Sequence, residues 1–229
     1  MIDWHSHILP QMDDGSKSVE ETLQLLNMMS SQGVDTVIAT SHFYANDESL
    51  ESFLERRQES YEKLLSVLPE NAPKIRLGAE VSYYSGISRL EGLNKLCIEG
   101  TQLLLLEMPF EKWTDHTLSE VRELAMRGRL TVILAHIERY LDMQGEKIFE
   151  ELQKYGVIMQ VNSSFFNRVQ TKRKALKLLA NGRIHLIGSD THNVALRPPT
   201  LDTADNIIEK KFGKELIHEI NGYGHFLLG

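Results

Sequence analysis

Seven times along the chain a short aliphatic or β-branched run gives way to a loop and then to a helical pattern. That alternation limits the fold more than any other feature. The runs are Ile2–His5, Thr36–Ala39, Ile75–Leu77, Leu103–Leu106, Thr131–Ala135, Val157–Val161 and Ile184–Gly188. Those near 131 and 157 are apolar almost throughout, as strands covered on both faces are, and strands alternating with helices point to parallel βαβ units. Between the runs, Ser18 to Glu21 reads as a capping box. It opens a helix with Val19, Leu23, Leu26 and Met29 near helical spacing, and Gly33 stops it. A charged amphipathic helix is expected over Asp47–Leu68, halted by Pro69, and another over Ser88–Leu96. Thr117 to Glu120 reads as a second capping box, for a helix stopped by Gly128. Helices are further expected over Glu146–Tyr155, Lys172–Ala180, Thr203–Lys211 and Lys214–Ile220. No linker or composition break divides the 229 residues, so residues 1–229 read as a single α/β domain.

Composition removes several classes of function. With 41% hydrophobic and 25% charged residues the chain is not a disordered one. Its longest apolar runs fall far short of a membrane span, which needs roughly 18 residues. A histidine of catalytic aspect by residue 5 leaves no room for a signal peptide. A lone cysteine, Cys97, excludes a disulfide framework, and the default expectation is a cytoplasmic protein. The formal charge of −7 and the absence of a basic patch with interleaved aromatics argue against a nucleic-acid partner.

The chemistry lies at the carboxyl ends of these runs. His5 and His7 stand at the end of the first, two residues apart and so on one face of a strand. His42, Glu80, Glu107, His136, Asn162 and then Asp190 with His192 stand at the ends of the others, and Asp13 and Asp14 lie in the first loop. In a β/α barrel these strand ends gather at one face, where active sites sit. Each residue alone reads more readily as a core or surface group than as a ligand. Six of seven strand ends with a metal-capable side chain is the pattern that matters. Five histidines and four carboxylates, counting one of the two loop aspartates, are too many for one ion and suit two or three. Mixed nitrogen and oxygen ligands without cysteine point to Mn²⁺, Fe²⁺, Zn²⁺ or Mg²⁺, and paired metals are characteristic of phosphoryl chemistry. Of the remaining histidines, His116, His185, His218 and His225 fall in helices, at a strand start or near the C-terminus, and read as structural or solvated. Phe43, Tyr44, Tyr83, Tyr84, Phe110, Trp113, Phe165 and Phe166 also come after strand ends; some could shape a cleft, though packing is the expected role for most. A cysteine-dependent phosphatase needs an arginine six residues beyond its nucleophile. Leu103 stands there after Cys97, so the thiol is expected to be inert.

The segments Met1 to His7 (M-I-D-W-H-S-H), D-D-G, T-S-H, G-A-E-V, L-L-E, A-H-I-E-R-Y, Q-V-N-S-S and S-D-T-H-N with R-P-P after it resemble the polymerase and histidinol phosphatase (PHP) superfamily. More narrowly, they resemble its bacterial manganese-dependent protein tyrosine phosphatases of capsule and exopolysaccharide operons. The resemblance covers essentially the whole chain. It implies a distorted (β/α)7 TIM-like barrel, the PHP fold. It also implies a phosphoric monoester hydrolase that attacks phosphotyrosine with a metal-activated hydroxide, on the C-terminal tail of a bacterial tyrosine kinase. Carried over residue by residue, His5, His7, Glu80 and Asp190 would hold one Mn²⁺. Glu80 would bridge to a second, completed by Glu107 and His136, and Asp14, His42 and His192 would hold a third. Asp13 and Asp14 both fit the motif, with Asp14 preferred. Arg139 and Arg197 resemble the family's phosphate-binding arginines, whose guanidinium forks match phosphate geometry. The alternative reading is a small-molecule phosphomonoesterase of the histidinol phosphatase kind, or another phosphoesterase of the superfamily. A non-enzymatic relative fits poorly with a full ligand set.

Overall fold

Side chains of most strands alternate between two apolar cores, and the curl of the sheet decides which core each face meets. The computed structural model describes residues 1–127 and 130–229. In chain order it places β1 (Ile2–Ser6), α1 (Val19–Ser31), β2 (Thr36–Ala39), β3 (His42–Phe43), α2 (Leu50–Leu65), β4 (Lys74–Leu77) and β5 (Glu80–Ser82). Next come β6 (Leu103–Glu107), α3 (Asp115–Arg127), β7 (Thr131–Leu134), α4 (Leu141–Gln144), α5 (Glu146–Gln153), β8 (Ile158–Asn162), α6 (Ser164–Asn167), α7 (Val169–Ala180), β9 (Leu186–Gly188), α8 (Leu201–Phe212) and α9 (Lys214–Leu228).

All strand pairs are parallel, in the orders β1-β2-β4 and β3-β5-β6-β7-β8-β9. Thr40 and Ser41 interrupt the line from β2 to β3, and Gly78 and Ala79 that from β4 to β5. The last strand exit returns to the first: Asp190 N donates to His5 O at 2.7 Å, and His7 N to Thr191 O at 2.9 Å. The result is an α/β fold whose parallel sheet curls toward closure. Ile2, Trp4, Ile38, Leu103, Leu105, Ile133, Ile158 and Leu186 form a core together, capped by Leu228 of α9. Their intervening neighbours, such as Leu104, Leu106, Val132, Leu134, Met159 and Val161, belong to a larger core shared with the helices. Alternation within one strand therefore separates an enclosed inner face from an outer, helix-covered one.

All seven expected runs contain a strand. β3 and β5 are additions, two or three residues long, too short to leave a periodic trace in the sequence. Ser18 caps α1 by accepting from Glu21 N at 3.2 Å, while the Glu21 carboxylate reaches back to Lys17 N rather than to the cap itself. The second expected capping box is not one. Thr114 caps α3 by accepting from Thr117 N at 3.1 Å, and the Glu120 carboxylate instead takes Gly86 N at 2.7 Å. Residues 47 and 48 lie outside α2, which Ser49 caps by accepting from Ser52 N. The helix expected over Ser88–Leu96 is two short 3-10 turns, Ile87–Arg89 and Leu93–Leu96, each entered through a glycine at positive φ. Gly128, expected to stop a helix, lies outside the described residues.

Two glycines permit the close approaches that the strand exits require. A Cβ on Gly188 would stand 2.6 Å from His5 Cβ and 2.7 Å from His5 N; one on Gly15 would stand 2.2 Å from His7 O. Gly188→Ala is therefore expected to cost about 2 kcal/mol through forced backbone shifts. By contrast Gly222→Ala, in α9 with open space around it, should gain about 0.5–1 kcal/mol from helix propensity. Urea unfolding of the two variants in chelator checks both signs.

Candidate metal centre

Inner-face geometry carries the strand exits to one point. Glu107 shares a face with Leu103 and Leu105, and Asp190 stands at the same parity as Leu186 and Gly188. On β1 the pairing with β2 gains one residue between Asp3 and Ser6. That bulge lets His5 and His7 join the face lined by Ile2 and Trp4. His42 and Glu80 are direct cross-strand partners of β3 and β5. His136 comes after the inward Ala135, where alternation would turn it outward. Its backbone instead takes φ 32°, and Asp190 takes φ 52°. Both values are uncommon for residues with a side chain and are typical of functional strand exits.

Glu80 is the centre of the group and is almost wholly buried. Its Oε2 lies 3.2 Å from His5 Nε2, 3.3 Å from His7 Nε2 and 3.1 Å from His42 Nδ1, and its Oε1 lies 2.8 Å from His136 Nε2. Glu107 Oε1 is 3.4 Å from the same His136 nitrogen. Asp190 Oδ1 lies 3.8 Å from His5 Nε2, and 3.6 Å from both His7 Nε2 and His192 Nδ1. Asp14 Oδ1 stands 3.2 Å from His192 Nε2 and 3.6 Å from His42 Nε2. All nine residues expected from the sequence thus meet in one site.

The two aspartates of the first loop divide. Asp14 turns toward His192 and His42. Asp13 accepts from His7 Nδ1 at 2.8 Å, from His42 N at 2.9 Å and from Gly15 N at 2.9 Å, the contacts of a carboxylate that orients ligand-type residues. Sequence reasoning also missed Gln160, whose Oε1 lies 3.4 Å from His5 Nδ1 and accepts from His136 N at 2.7 Å. Asp3 was missed as well; it accepts from Ser189 N at 2.7 Å and ties β1 to the exit of β9. An amide or carboxylate inside an apolar strand was the only trace either left in the sequence.

Buried ionisable groups hold one another in unusual states. Burial alone would raise the Asp190 carboxyl, but His5, His7 and Arg139 outweigh it and bring it to about 2. Burial opposes a charge on His136, yet Glu107 and Glu80 push it up to about 9. At His192 burial, joined by the charge of His7, lowers the imidazole to about 4. Glu80 is held well below the ordinary range against its own burial, by His5 first and then His136 and His42.

The donor set fits divalent cations. His5 Nε2 and His7 Nε2 are 3.1 Å apart, the edge length expected of two nitrogens each about 2.1 Å from one ion. Among the described residues the buried His42 Nδ1 makes no hydrogen bond, although Glu80 Oε2 lies 3.1 Å from it. Among the described residues, three groups bring their ligand atoms within 4.8 Å of one another: His5, His7 and Asp190; His42, Glu80 and Glu107; and His7, Asp14, His42 and His192. His7 and His42 each fall in two groups. His136 falls in none of them, although it touches Glu80 and Glu107.

Beside the cluster, Glu138, Arg139, Asn162, Phe165, Arg168 and Arg197 help line a cavity of about 390 Å³. Asp190 forms its inner wall. Arg139 donates to Asp190 Oδ2, as do Arg197 Nη2 at 2.7 Å and Asn162 Nδ2 at 2.7 Å. Of the aromatics, Phe43, Trp113 and Phe166 are core residues. Tyr44 stacks on His42 at 5.2 Å between ring centroids and Phe110 on His136 at 6.1 Å; both are partly exposed at the mouth of the site.

A fold and site of this kind place the chain in a class of proteins. It belongs to the CpsB/CapC family of capsular polysaccharide synthesis, whose pattern matches residues 1–223. Tyrosine-protein phosphatase CpsB of Streptococcus agalactiae is 33% identical over 96% of this chain and 94% of its own length. Tyrosine-protein phosphatase YwqE of Bacillus subtilis is 29% identical over 100% and 91%. Among solved structures, one from a study of YwqE from Bacillus subtilis and CpsB from Streptococcus pneumoniae, described as unique metal-dependent tyrosine phosphatases, superposes with a TM-score of 0.86. It is 25% identical and covers 100% of this chain and 94% of that one.

Cys97 is buried, and burial pushes its thiol up to about 11, so it is a protonated, inaccessible group at neutral pH. Iodoacetamide at pH 7.5 is expected to label it only after denaturation and to leave phosphatase activity unchanged. Loss of activity in step with labelling of Cys97 would contradict this.

Proposed function

We propose that the chain is a metal-dependent protein tyrosine phosphatase of capsule or exopolysaccharide synthesis, acting on phosphotyrosine in the C-terminal tail of a bacterial tyrosine kinase. Asp190 carries this reading. One of its oxygens faces the imidazole cluster, and the other takes two arginines that line an open cavity. A site built for cations therefore adjoins a site built for a tetrahedral dianion. The chain acts as one PHP unit spanning residues 1–229, with β2–β3 and β4–β5 each counted as one broken strand of a seven-unit barrel. No helix among the described residues is long and apolar enough to cross a membrane, and a cytoplasmic location fits a kinase-tail substrate.

Mn²⁺ is the proposed metal, in two or three copies. His5, His7, Glu80 and Asp190 would hold one, Glu80, Glu107 and His136 a second, and Asp14, His42 and His192 a third. The placement of His7 and His42 in two groups each suits ligands at the junctions between ions. Bound divalent ions supply charge to phosphate oxygens and acidify water near neutral pH. Asp13 and Gln160 keep the His7 and His5 rings aimed at the cluster. Arg139 and Arg197 bind the outer phosphate oxygens, exchanging part of their hold on Asp190 for the dianion. Phe165 offers an apolar wall to the tyrosyl ring. The departing phenolate, with a solution pKa of about 10, needs less help from an acid than an alkoxide would.

With Mn²⁺ supplied, the protein should hydrolyse phosphotyrosine peptides, lose that activity in chelator and regain it on readdition. Faster turnover of histidinol phosphate than of the peptide would favour the small-molecule reading instead. His136→Ala and Asp190→Ala should each lower kcat/KM by about 100-fold or more while circular dichroism of the metal-free protein stays unchanged. Wild-type rates in either variant would remove that residue from the centre.

A further inference from the structure

Between Val157 and Ser189 the chain holds six cationic residues and no carboxylate, in a protein whose formal charge is −7. Two of the six are paired, Lys174 with Asp142 at 2.7 Å and Arg183 with Glu150 at 2.8 Å. Arg168, Lys172, Arg173 and Lys177 have no ion-pair partner among the described residues. Along the sequence these charges are diluted over a helical segment and form no evident basic patch. Folding collects them. Lys172, Arg173 and Lys177 share one exposed stripe of α7 with Val169, Leu176 and Ala180, spaced three and four apart. With Phe212 of α8 that stripe encloses an open groove of about 490 Å³. At the start of α7, Arg168 and Thr171, the sequence neighbours of Val169 and Lys172, line the cavity beside Asp190, so groove and cavity flank the same end of the helix.

We propose that this stripe of α7 is a docking track for acidic residues flanking the phosphotyrosine of a protein substrate, an inference that rests on the phosphotyrosine reading of the metal centre. Cations without partners in an acidic protein create a local field opposite to the net charge and draw carboxylates to it. From Arg168 to Lys177 the helix rises roughly 14 Å, which about four residues of extended peptide would span. Acidic side chains within that distance of the phosphotyrosine reach Lys172, Arg173 and Lys177. An aliphatic or aromatic residue among them rests on Leu176 and Phe212. An anionic bilayer would meet the same charges, but a groove set beside the cavity receives a chain better than a plane. Nucleic acid would call for stacking aromatics along the track, and the α7 stripe carries none.

Two phosphotyrosine peptides of equal length, with acidic or with neutral flanks, are compared on the manganese-loaded protein and on its Lys172→Glu/Arg173→Glu/Lys177→Glu variant. Turnover of p-nitrophenyl phosphate is measured alongside. The wild type should favour the acidic peptide about tenfold in kcat/KM at low ionic strength, through KM, and lose the preference as salt screens it. In the triple variant the preference should vanish while p-nitrophenyl phosphate turnover, which also reports an intact fold, stays at the wild-type level. No preference in the wild type, or one that survives the triple substitution, overturns the proposal. So does a variant that loses only its binding to phosphatidylglycerol vesicles, which would assign the stripe to a membrane. If the wild type hydrolyses neither peptide nor p-nitrophenyl phosphate, the phosphatase reading fails on its own. Docking is then read from fluorescence anisotropy, in which the labelled acidic peptide should bind the wild type and not the variant.

Discussion

The site depends on a buried carboxylate, Glu80, that faces four imidazoles. An isolated carboxylate in such a place would take up a proton rather than remain charged. Here His5, His7, His42 and His136 surround it at 2.8–3.3 Å and keep it ionised. The arrangement is costly to desolvate and returns little net stability as an ion cluster. Its value is positional. The strand interruption before β3, the bulge in β1 and the sharp backbone turn at His136 each break a regular ladder, and together they bring the imidazoles of His42, of His5 and His7, and of His136 to the same point.

Asp190 couples that cluster to the solvent-facing side of the site. Its Oδ1 looks toward His5, His7 and His192, and its Oδ2 is held by Arg139, Arg197 and Asn162. Events at the cavity and at the imidazoles are therefore felt by one carboxylate. A dianion entering the cavity would draw the guanidinium groups away from Asp190 and leave more of its charge for cations on the other side. Binding at the two sites is expected to be mutually reinforcing for this reason, by linkage.

Much of this was legible in the sequence, and the parts that were not have identifiable causes. Seven apolar runs marked seven strands, since strands covered on both faces leave a dense local signal. Residues at the run ends marked the cluster because a parallel arrangement gathers all its carboxyl ends. β3 and β5 were hidden because pairing between two- and three-residue segments is a tertiary fact. Thr117 stands three residues before Glu120, as a capping box requires, whereas Thr114, the actual cap, has no such partner. Tertiary demand decided between them, for Glu120 is taken by Gly86 on a neighbouring segment. Asp13 and Asp14 are indistinguishable as letters, and only the loop geometry fixed by Gly15 against His7 separates their roles. Gln160 and Arg168 reach the site through contacts with other elements and belong to no local pattern.

His136 and Asp190 adopt left-handed backbone conformations while carrying full side chains. Glycine would occupy those φ values with less strain, so selection for stability alone pulls both positions away from the residues the site needs. A lineage released from its catalytic task should lose these two residues early and become more robust as it does so, with the strand framework unchanged.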